Sequence, residues 1–302
     1  MNTITIFTPL YNRCKLLGRL YDSLLRQTCM DFEWIVVDDG STDGSLSVLK
    51  DISNKDNPFP FYYYSVENGG KHRAINYGVN KAHGILFFIV DSDDYLTDDA
   101  VHTIIYYYHQ IKDKKSFGGV VGLKQSQNGI EPFCGDGEVF DGTFIERRAK
   151  GKCKENAEVI YTDLMRQFPF PEFCNEKFIS EGVVWTKIAS VGYKMRWFNK
   201  PIYNFEYQSD GLTSNLRRLY RQNPKGYLYY VEQENRLLSR NWLQRMSQYG
   251  LCIKTVKQSY ISQAVTREML RINYLEFYIA PLIHSFKLLC YKIYSQIFMK
   301  SN

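Results

Sequence analysis

The residues with the clearest chemical potential lie in one short stretch, Asp91-Ser92-Asp93-Asp94, at the end of the apolar run Ile85-Leu86-Phe87-Phe88-Ile89-Val90. Three carboxylates in four residues repel one another, and the arrangement is costly unless positive charge sits among them. A divalent cation meets that need. Hard oxygen donors with no His or Cys beside them suit magnesium or manganese rather than zinc, and such ions complete their shells with substrate phosphates. An isolated Asp-x-Asp is also common in solvated loops ahead of a helix, here one starting near Thr97, so its weight depends on its companions.

Those companions stand at the ends of other apolar runs. Thr8-Pro9-Leu10-Tyr11-Asn12 follows the first, Asp38 and Asp39 end a second, and Asn68-Gly69-Gly70-Lys71-His72-Arg73 follows a third. A carboxylate at Asp39 suits the imide N–H of uracil, a donor that cytosine lacks, although guanine also offers N–H donors. Asp91 suits ribose hydroxyls, while Asp93 or Asp94 suits a metal bound to a diphosphate. Lys71 and Arg73 add positive charge for departing phosphates, or else simply solvate the start of a helix.

Bringing these residues together requires strands that end at one edge. Residues 3–8 are β-branched and aromatic and read as a first strand, closed by Pro9; Leu16, Leu17, Leu20, Leu24 and Leu25 then recur at helical spacing to about Gln27. A second strand covers Glu33–Asp39, with Ser41, Thr42 and Asp43 all fit to cap the helix carrying Leu46 and Leu49. A third strand covers 61–66, a helix runs from Arg73 to about Ala82, and the strand within 84–90 is apolar enough to be buried on both faces. Strands alternating with helices predict an α/β fold with a mostly parallel sheet, its site at the carboxyl edge of the strands.

Beyond Thr97 the pattern predicts a helix to about Asp113, a strand over 118–123, and a loop or hairpin over 125–142. Residues 153–176 show no regular element, broken as they are by Pro169 and Pro171. A short helix is expected within 177–189 and two strands at 195–198 and 202–208. The core domain is expected to span 1–214, with a helical appendage over 215–302. The appendage ends in an apolar and basic stretch, 274–299, interrupted by Glu276, Pro281, His284 and Lys287 before the length a membrane span needs. It is expected to meet its own domain, a second copy in a homodimer, or a membrane surface.

The 302 residues, 44% apolar and 16% aromatic, exclude a disordered chain. The net charge of +6 is modest and much of the excess falls after residue 215 rather than on a nucleic-acid motif, so an anionic partner other than nucleic acid is the expectation. Seven cysteines, odd in number and with no Cys-x-x-Cys pair, fit a reducing compartment, and the N-terminus enters a strand without a signal-like stretch. A cytoplasmic location, with an inner-membrane surface as the alternative, is the expectation.

Taken in order, Thr8-Pro9-Leu10-Tyr11-Asn12, Asp31 to Asp43 (with Val37-Asp38-Asp39-Gly40-Ser41), Glu67-Asn68-Gly69-Gly70 and Val90-Asp91-Ser92-Asp93-Asp94 resemble the ordered motifs of family 2 glycosyltransferases with the GT-A fold. The resemblance is close over about residues 3–110. It implies a nucleotide-sugar donor, a UDP-sugar by the Asp39 argument, a Mn2+ or Mg2+ ion, and transfer with inversion at the anomeric carbon; a glycan is the expected acceptor, lipid-linked on the strength of the apolar and basic stretch 274–299. It further implies that Pro9, Tyr11 and Asp39 frame the base, that Asp91 meets the ribose, and that Asp93, with Asp94 beside it, holds the metal. Thr8, Asn12, Asp38, Asn68, Gly69, Lys71 and Ser92 complete the donor edge.

Inversion needs a base for the acceptor hydroxyl. Family members carry an acid for this after the acidic motif at the start of a helix, and Glu181 matches, with Glu172 and Glu176 as nearby alternatives. The plain reading of Glu181 is a first-turn acid favoured by the helix dipole. Asp210 is expected in a loop that closes over donor or acceptor. No Gln-x-x-Arg-Trp tract of processive synthases occurs, so one sugar per encounter is expected. A non-catalytic nucleotide-sugar-binding scaffold is the first rival. A haloacid-dehalogenase-like phosphatase is the weaker one, since Asp94 and Tyr95 do not continue its motif.

Overall fold

The computed structural model describes residues 2–126, 129–130, 139–149, 156–206, 211 and 215–298. Strands and helices alternate from the start: β1 (Ile4–Leu10), α1 (Leu17–Leu25), β2 (Phe32–Asp38), α2 (Ser45–Ser53), β3 (Phe61–Ser65), α3 (Lys71–Lys81) and β4 (Leu86–Ile89). There follow β5 (Tyr95–Leu96), α4 (Ala100–His109), β6 (Phe117–Ser126), β7 (Gly129–Ile130), β8 (Val139–Gly142), α5 (Phe144–Ala149), β9 (Asn156–Tyr161) and α6 (Thr162–Gln167). Next come α7 (Gly182–Ser190) and β10 (Lys194–Asn204), and the chain finishes in α8 (Leu216–Gln222), α9 (Pro224–Leu237), α10 (Trp242–Val256), α11 (Gln263–Leu270) and α12 (Tyr274–Phe298).

One sheet carries the strands in the order β3-β2-β1-β4-β9-β6-β10-β5, with β7 beside β6 and β8 beside β10. The first four are mutually parallel, and β6 and β10 pair in parallel. Every residue of β1 and β2 is buried, as strands covered by helices on both faces require. The predicted α/β architecture, with its mostly parallel sheet and C-terminal helices, is what the chain adopts.

The departures from expectation have local causes. The central strand β4 covers only part of the apolar run, and Gly84 before it lies against the neighbouring backbone, where a Cβ would sit 2.4 Å from Thr5 N. α3 begins at Lys71 rather than Arg73. Two strands expected on either side of Asn199 form one, β10, which absorbs the break through register shifts between Trp197 and Tyr203. The stretch expected to lack regular elements forms α6 and the strand β9, which is inserted antiparallel between β4 and β6 in the middle of the sheet. The sequence of β9, Asn-Ala-Glu-Val-Ile-Tyr, is mostly apolar but only six residues long, and it runs directly into α6.

The chain divides into two compact units, one of Met1–Phe170 and Val184–Gln208, the other of Pro171–Val183 and Ser209–Asn302. The chain passes between these units three times. The segment 171–183 belongs to the second unit through buried polar bonds. Both carboxylate oxygens of Glu176 accept N–H groups at the start of α9, from Lys225 and Gly226 at 2.8 Å each, and Tyr260 donates its hydroxyl at 2.6 Å. Glu176 thus neutralises a helix N-terminus and is withdrawn as a candidate base. Leu228, Val231, Met246, Cys252, Leu270, Phe277 and Ala280 form this unit's own core.

Candidate active site

Three loops leave the carboxyl edge after β1, β2 and β3, and side chains bolt them together. Asn12 takes the left-handed conformation (φ 51°), which Asn tolerates, and its Oδ1 accepts the N–H of Thr42 at 2.8 Å. Ser41 Oγ accepts the N–H of Asn12, and Asp43 accepts that of Cys14. Asp39 then holds the third loop: its two oxygens accept from Gly69 N at 2.7 Å and Gly70 N at 2.8 Å, with Asn68 Nδ2 donating as well at 3.1 Å. Gly40 is required here twice over. Its φ of +72° is left-handed, and a Cβ would sit 2.9 Å from Asn68 N.

Alternation along the strands sorts the expected donor residues. Thr8 faces the core, fully buried, with its hydroxyl accepting from Trp34 Nε1 at 3.0 Å, and Asp38 closes its own turn by accepting from Ser41 N and Ser65 Oγ. Both side chains are thus engaged by the framework of the edge. Pro9 lies within β1 and Tyr11 stands exposed beyond it.

The acid turn after β4 carries its own compensating charge. Lys71 Nζ lies 2.6 Å from Asp91 Oδ1, and Arg13 Nε lies 3.7 Å from Asp93 Oδ2. Arg19 donates to the carbonyl of Asp93 at 2.5 Å, pairs with Glu206 at 2.7 Å, and stacks over Tyr95. The buried Tyr203 of β10 accepts the N–H of Asp91 at 3.0 Å and donates its hydroxyl to Asp94 Oδ2 at 2.7 Å. Lys124 of β6 sits over the Tyr203 ring at 4.1 Å. Ser92 is buried within the turn.

These contacts set the acids apart electrostatically. Desolvation pushes Asp91 up, but the ammonium groups of Lys71 and Lys124 outweigh it and hold the carboxyl below its usual range. Asp93 is raised, by desolvation first and then by Asp91. Asp94 is raised to about 7 by the same two causes in the same order. Burial, reinforced by Asp91 and Asp94, keeps the Tyr203 hydroxyl protonated and so a donor. Positive charge among the acids, expected from an ion alone, comes in part from the protein. Asp94, expected as a second metal ligand, is buried and turned to Tyr203. Among the described residues no group of three His, Cys, Asp or Glu side chains gathers to hold a metal.

Beside the turn, Tyr95, Gln125, Ser126, Asn204, Phe205 and Glu206 line a cavity of about 230 Å³. Sequence reasoning missed Lys124, Tyr203, Arg13 and Arg19. Lys124 was within reach, being the first charged residue after a buried run at the carboxyl edge, the position that drew attention to Asp38 and Asp91. Nothing in the sequence marks Tyr203 among 24 tyrosines. Glu181 lies in the second unit, half-buried, immediately before α7; Glu172 is exposed, and Asp210 lies outside the described residues.

Residues 5–133 match the family model Glycosyl transferase family 2. Over 101 residues the chain is 39% identical to Glycosyltransferase GlyA of Streptococcus pneumoniae serotype 4, a match taking in 33% of this chain and 14% of that relative. The chain therefore spans a small part of that protein's length. Among solved structures, S. aureus TarS 1–349 in complex with UDP-GlcNAc superposes with a TM-score of 0.58 at 20% identity, covering 89% of this chain and 70% of that one. The mannosyltransferase PcManGT of Pyrobaculum calidifontis, in complex with GDP-Man and Mn2+, gives 0.57 at 18% identity over 97% and 82% of the two chains. The fold is that of these GT-A neighbours, and the likeness to glycosyltransferase family 2 in sequence lies over residues 5–133.

Proposed function

We propose that this protein is an inverting glycosyltransferase that moves one sugar from a nucleotide-sugar, a UDP-sugar by preference, to a hydroxyl of a glycan or lipid-linked glycan at the cytoplasmic side of a membrane. The observation that carries the reading is the convergence, at the carboxyl edge of parallel strands and inside the family-matched span, of the Asp39-tethered loops and the Asp91–Asp94 turn. Relatives of this fold are seen with UDP-GlcNAc and with GDP-Man and Mn2+, which supports a nucleotide-sugar donor.

In this reading the base rests by Tyr11 over the loop that Asp39 holds, and Asp91 accepts ribose hydroxyls. Lys71, which neutralises Asp91 in the free protein, adds positive charge for the diphosphate. A divalent ion is compatible with the residues present. Asp93 is a partly exposed carboxylate whose pKa is raised, so it gains from added positive charge, and magnesium-type sites commonly use one or two carboxylates with substrate phosphates. Such an ion would neutralise charge on the departing diphosphate. The cavity beside Tyr95, with two aromatic rings and several amide, hydroxyl and carboxylate groups, offers partners for sugar hydroxyls. Glu181 is assigned as the base: it takes the acceptor hydroxyl proton as the acceptor oxygen bonds to the anomeric carbon and the bond to the diphosphate breaks, releasing a nucleoside diphosphate.

A thermal-shift panel of nucleotide-sugars, each with and without manganese, tests the donor site, because a ligand that binds only the folded state raises its apparent stability. One uridine donor should stabilise the protein in a metal-dependent way, and Asp93→Ala should lose the metal-dependent part. No stabilisation by any nucleotide-sugar at millimolar concentration would sink the donor-site reading and leave a scaffold.

A further inference from the structure

The terminal helix α12 is apolar on two opposite sides, and only one of them is packed. Phe277 and Ala280 enter the core of the helical unit, with Ile283 against it. The approach to α10 is close: a Cβ at Gly250 would lie 2.1 Å from the carbonyl oxygen of Ala280. Ser247 Oγ meets His284 Nδ1 at 3.4 Å, and Lys254 donates to Ser285. Across the helix from this stripe lie Leu275, Tyr278, Leu282, Phe286 and Leu289, all between 54% and 69% exposed. At about 100° per residue these five fall within a sector of roughly 80°. An ordinary surface helix presents polar residues on that side.

We propose that this outward stripe docks the protein on an anionic phospholipid surface, with α12 lying in the plane of the headgroups. No helix among the described residues is long and apolar enough to cross a membrane, so α12 is suited to an interfacial position. Charge selects the occupant. After residue 214 the sequence has fourteen Lys and Arg against four Asp and Glu, a net +10 in a chain whose total is +6, so the preceding residues carry −4. Cations also flank the stripe itself. The guanidinium of Arg267 lies 3.5 Å from the Tyr274 ring centroid at one end, and Lys254 reaches Ser285 further along. Anionic headgroups satisfy a basic surface and the acyl boundary covers the apolar side chains. A second copy would bring +10 against +10, an arrangement that like-charge repulsion opposes. The proposal does not depend on the transferase reading, because its readout is binding to lipid.

The test is co-sedimentation of the full chain with vesicles of phosphatidylcholine alone and of phosphatidylcholine carrying about one third phosphatidylglycerol. The protein should pellet with the anionic vesicles, stay in solution with the neutral ones, and release as salt is raised. The double substitution Leu282→Glu with Phe286→Glu, both on the exposed side, should lower the partition coefficient by at least about tenfold while leaving the melting temperature in place. Lys254→Ala with Arg267→Ala, which leaves the stripe intact, should weaken binding to anionic vesicles by several-fold. Equal pelleting of the wild type and the double-Glu variant would overturn the proposal. So would a wild-type dimer that ignores vesicles and that the double-Glu variant converts to monomer, which would assign the stripe to a second copy.

Discussion

Asp91, Asp93 and Asp94 are neighbours in sequence, yet their surroundings make them three different groups. Asp91 is paired with Lys71, Asp93 faces outward near Arg13, and Asp94 is buried against Tyr203. Tyr203 is the pin between them, since one hydroxyl accepts from the Asp91 backbone and donates to the Asp94 carboxylate. Tyr203→Phe keeps the ring and its place in the core but leaves a buried N–H and a buried carboxylate without that partner. The expected cost is about 1–3 kcal/mol in chemical denaturation. In the proposed function, donor affinity should fall as well, because the turn that presents Asp93 loses its anchor. Unchanged stability together with unchanged donor binding would show that Tyr203 merely fills space.

The elements converge because short polar side chains replace what would otherwise be three independent loops. Gly40 lies at the point where the loops after β2 and β3 touch. Gly40→Ala combines a left-handed backbone with a clash against Asn68 N and should cost more than about 1 kcal/mol, read as a lowered denaturation midpoint. Asp43 gives the same assembly a pH dependence. Desolvation pushes its carboxyl up, but hydrogen bonds from Cys14 and Ser45 prevail and lower it to about 2. Its folded-state pKa is therefore below the unfolded value. The stabilisation is present above about pH 4 and is lost as pH falls through about 2. Asp43 is exposed, so the effect is screened and modest. Asp43→Asn should flatten the acid limb of a melting-temperature profile between those values; an unchanged limb would remove Asp43 from the linkage.

At the scale of the whole molecule, the candidate base and the acid turn belong to different compact units. Glu181 sits at the end of the segment 171–183, which polar bonds from Glu176, Lys177 and Val183 tie to the helices after 209. If Glu181 is the base, Glu181→Gln should leave the thermal shift by the nucleotide-sugar intact while slowing turnover at least ~100-fold, as expected when a general base is lost. Retained turnover would assign proton transfer to another group.

The first strands, their helices and the clustering of Asp39, Lys71, Asp91 and Asp93 at one edge were legible in the sequence. Each strand is a short apolar run ending in polar residues, and in a parallel sheet such ends share one edge. The strand β9 was not legible. Its pairing energy comes from β4 and β6, which lie far away in sequence, and its own six residues carry only a weak pattern. Glu181 was the leading candidate base in the sequence, with Glu172 and Glu176 nearby as alternatives. Only the tertiary structure turned Glu176 into a cap of α9, because the N–H groups it satisfies come from residues 225 and 226. The same holds for Thr8 and Asp38, whose side chains face inward, and for Tyr203 and Lys124. Sequence alone determined which chemical groups stand at the strand ends, since that follows from local composition and period. Which of those groups hold the framework was decided by contacts between distant segments, and no local pattern records those.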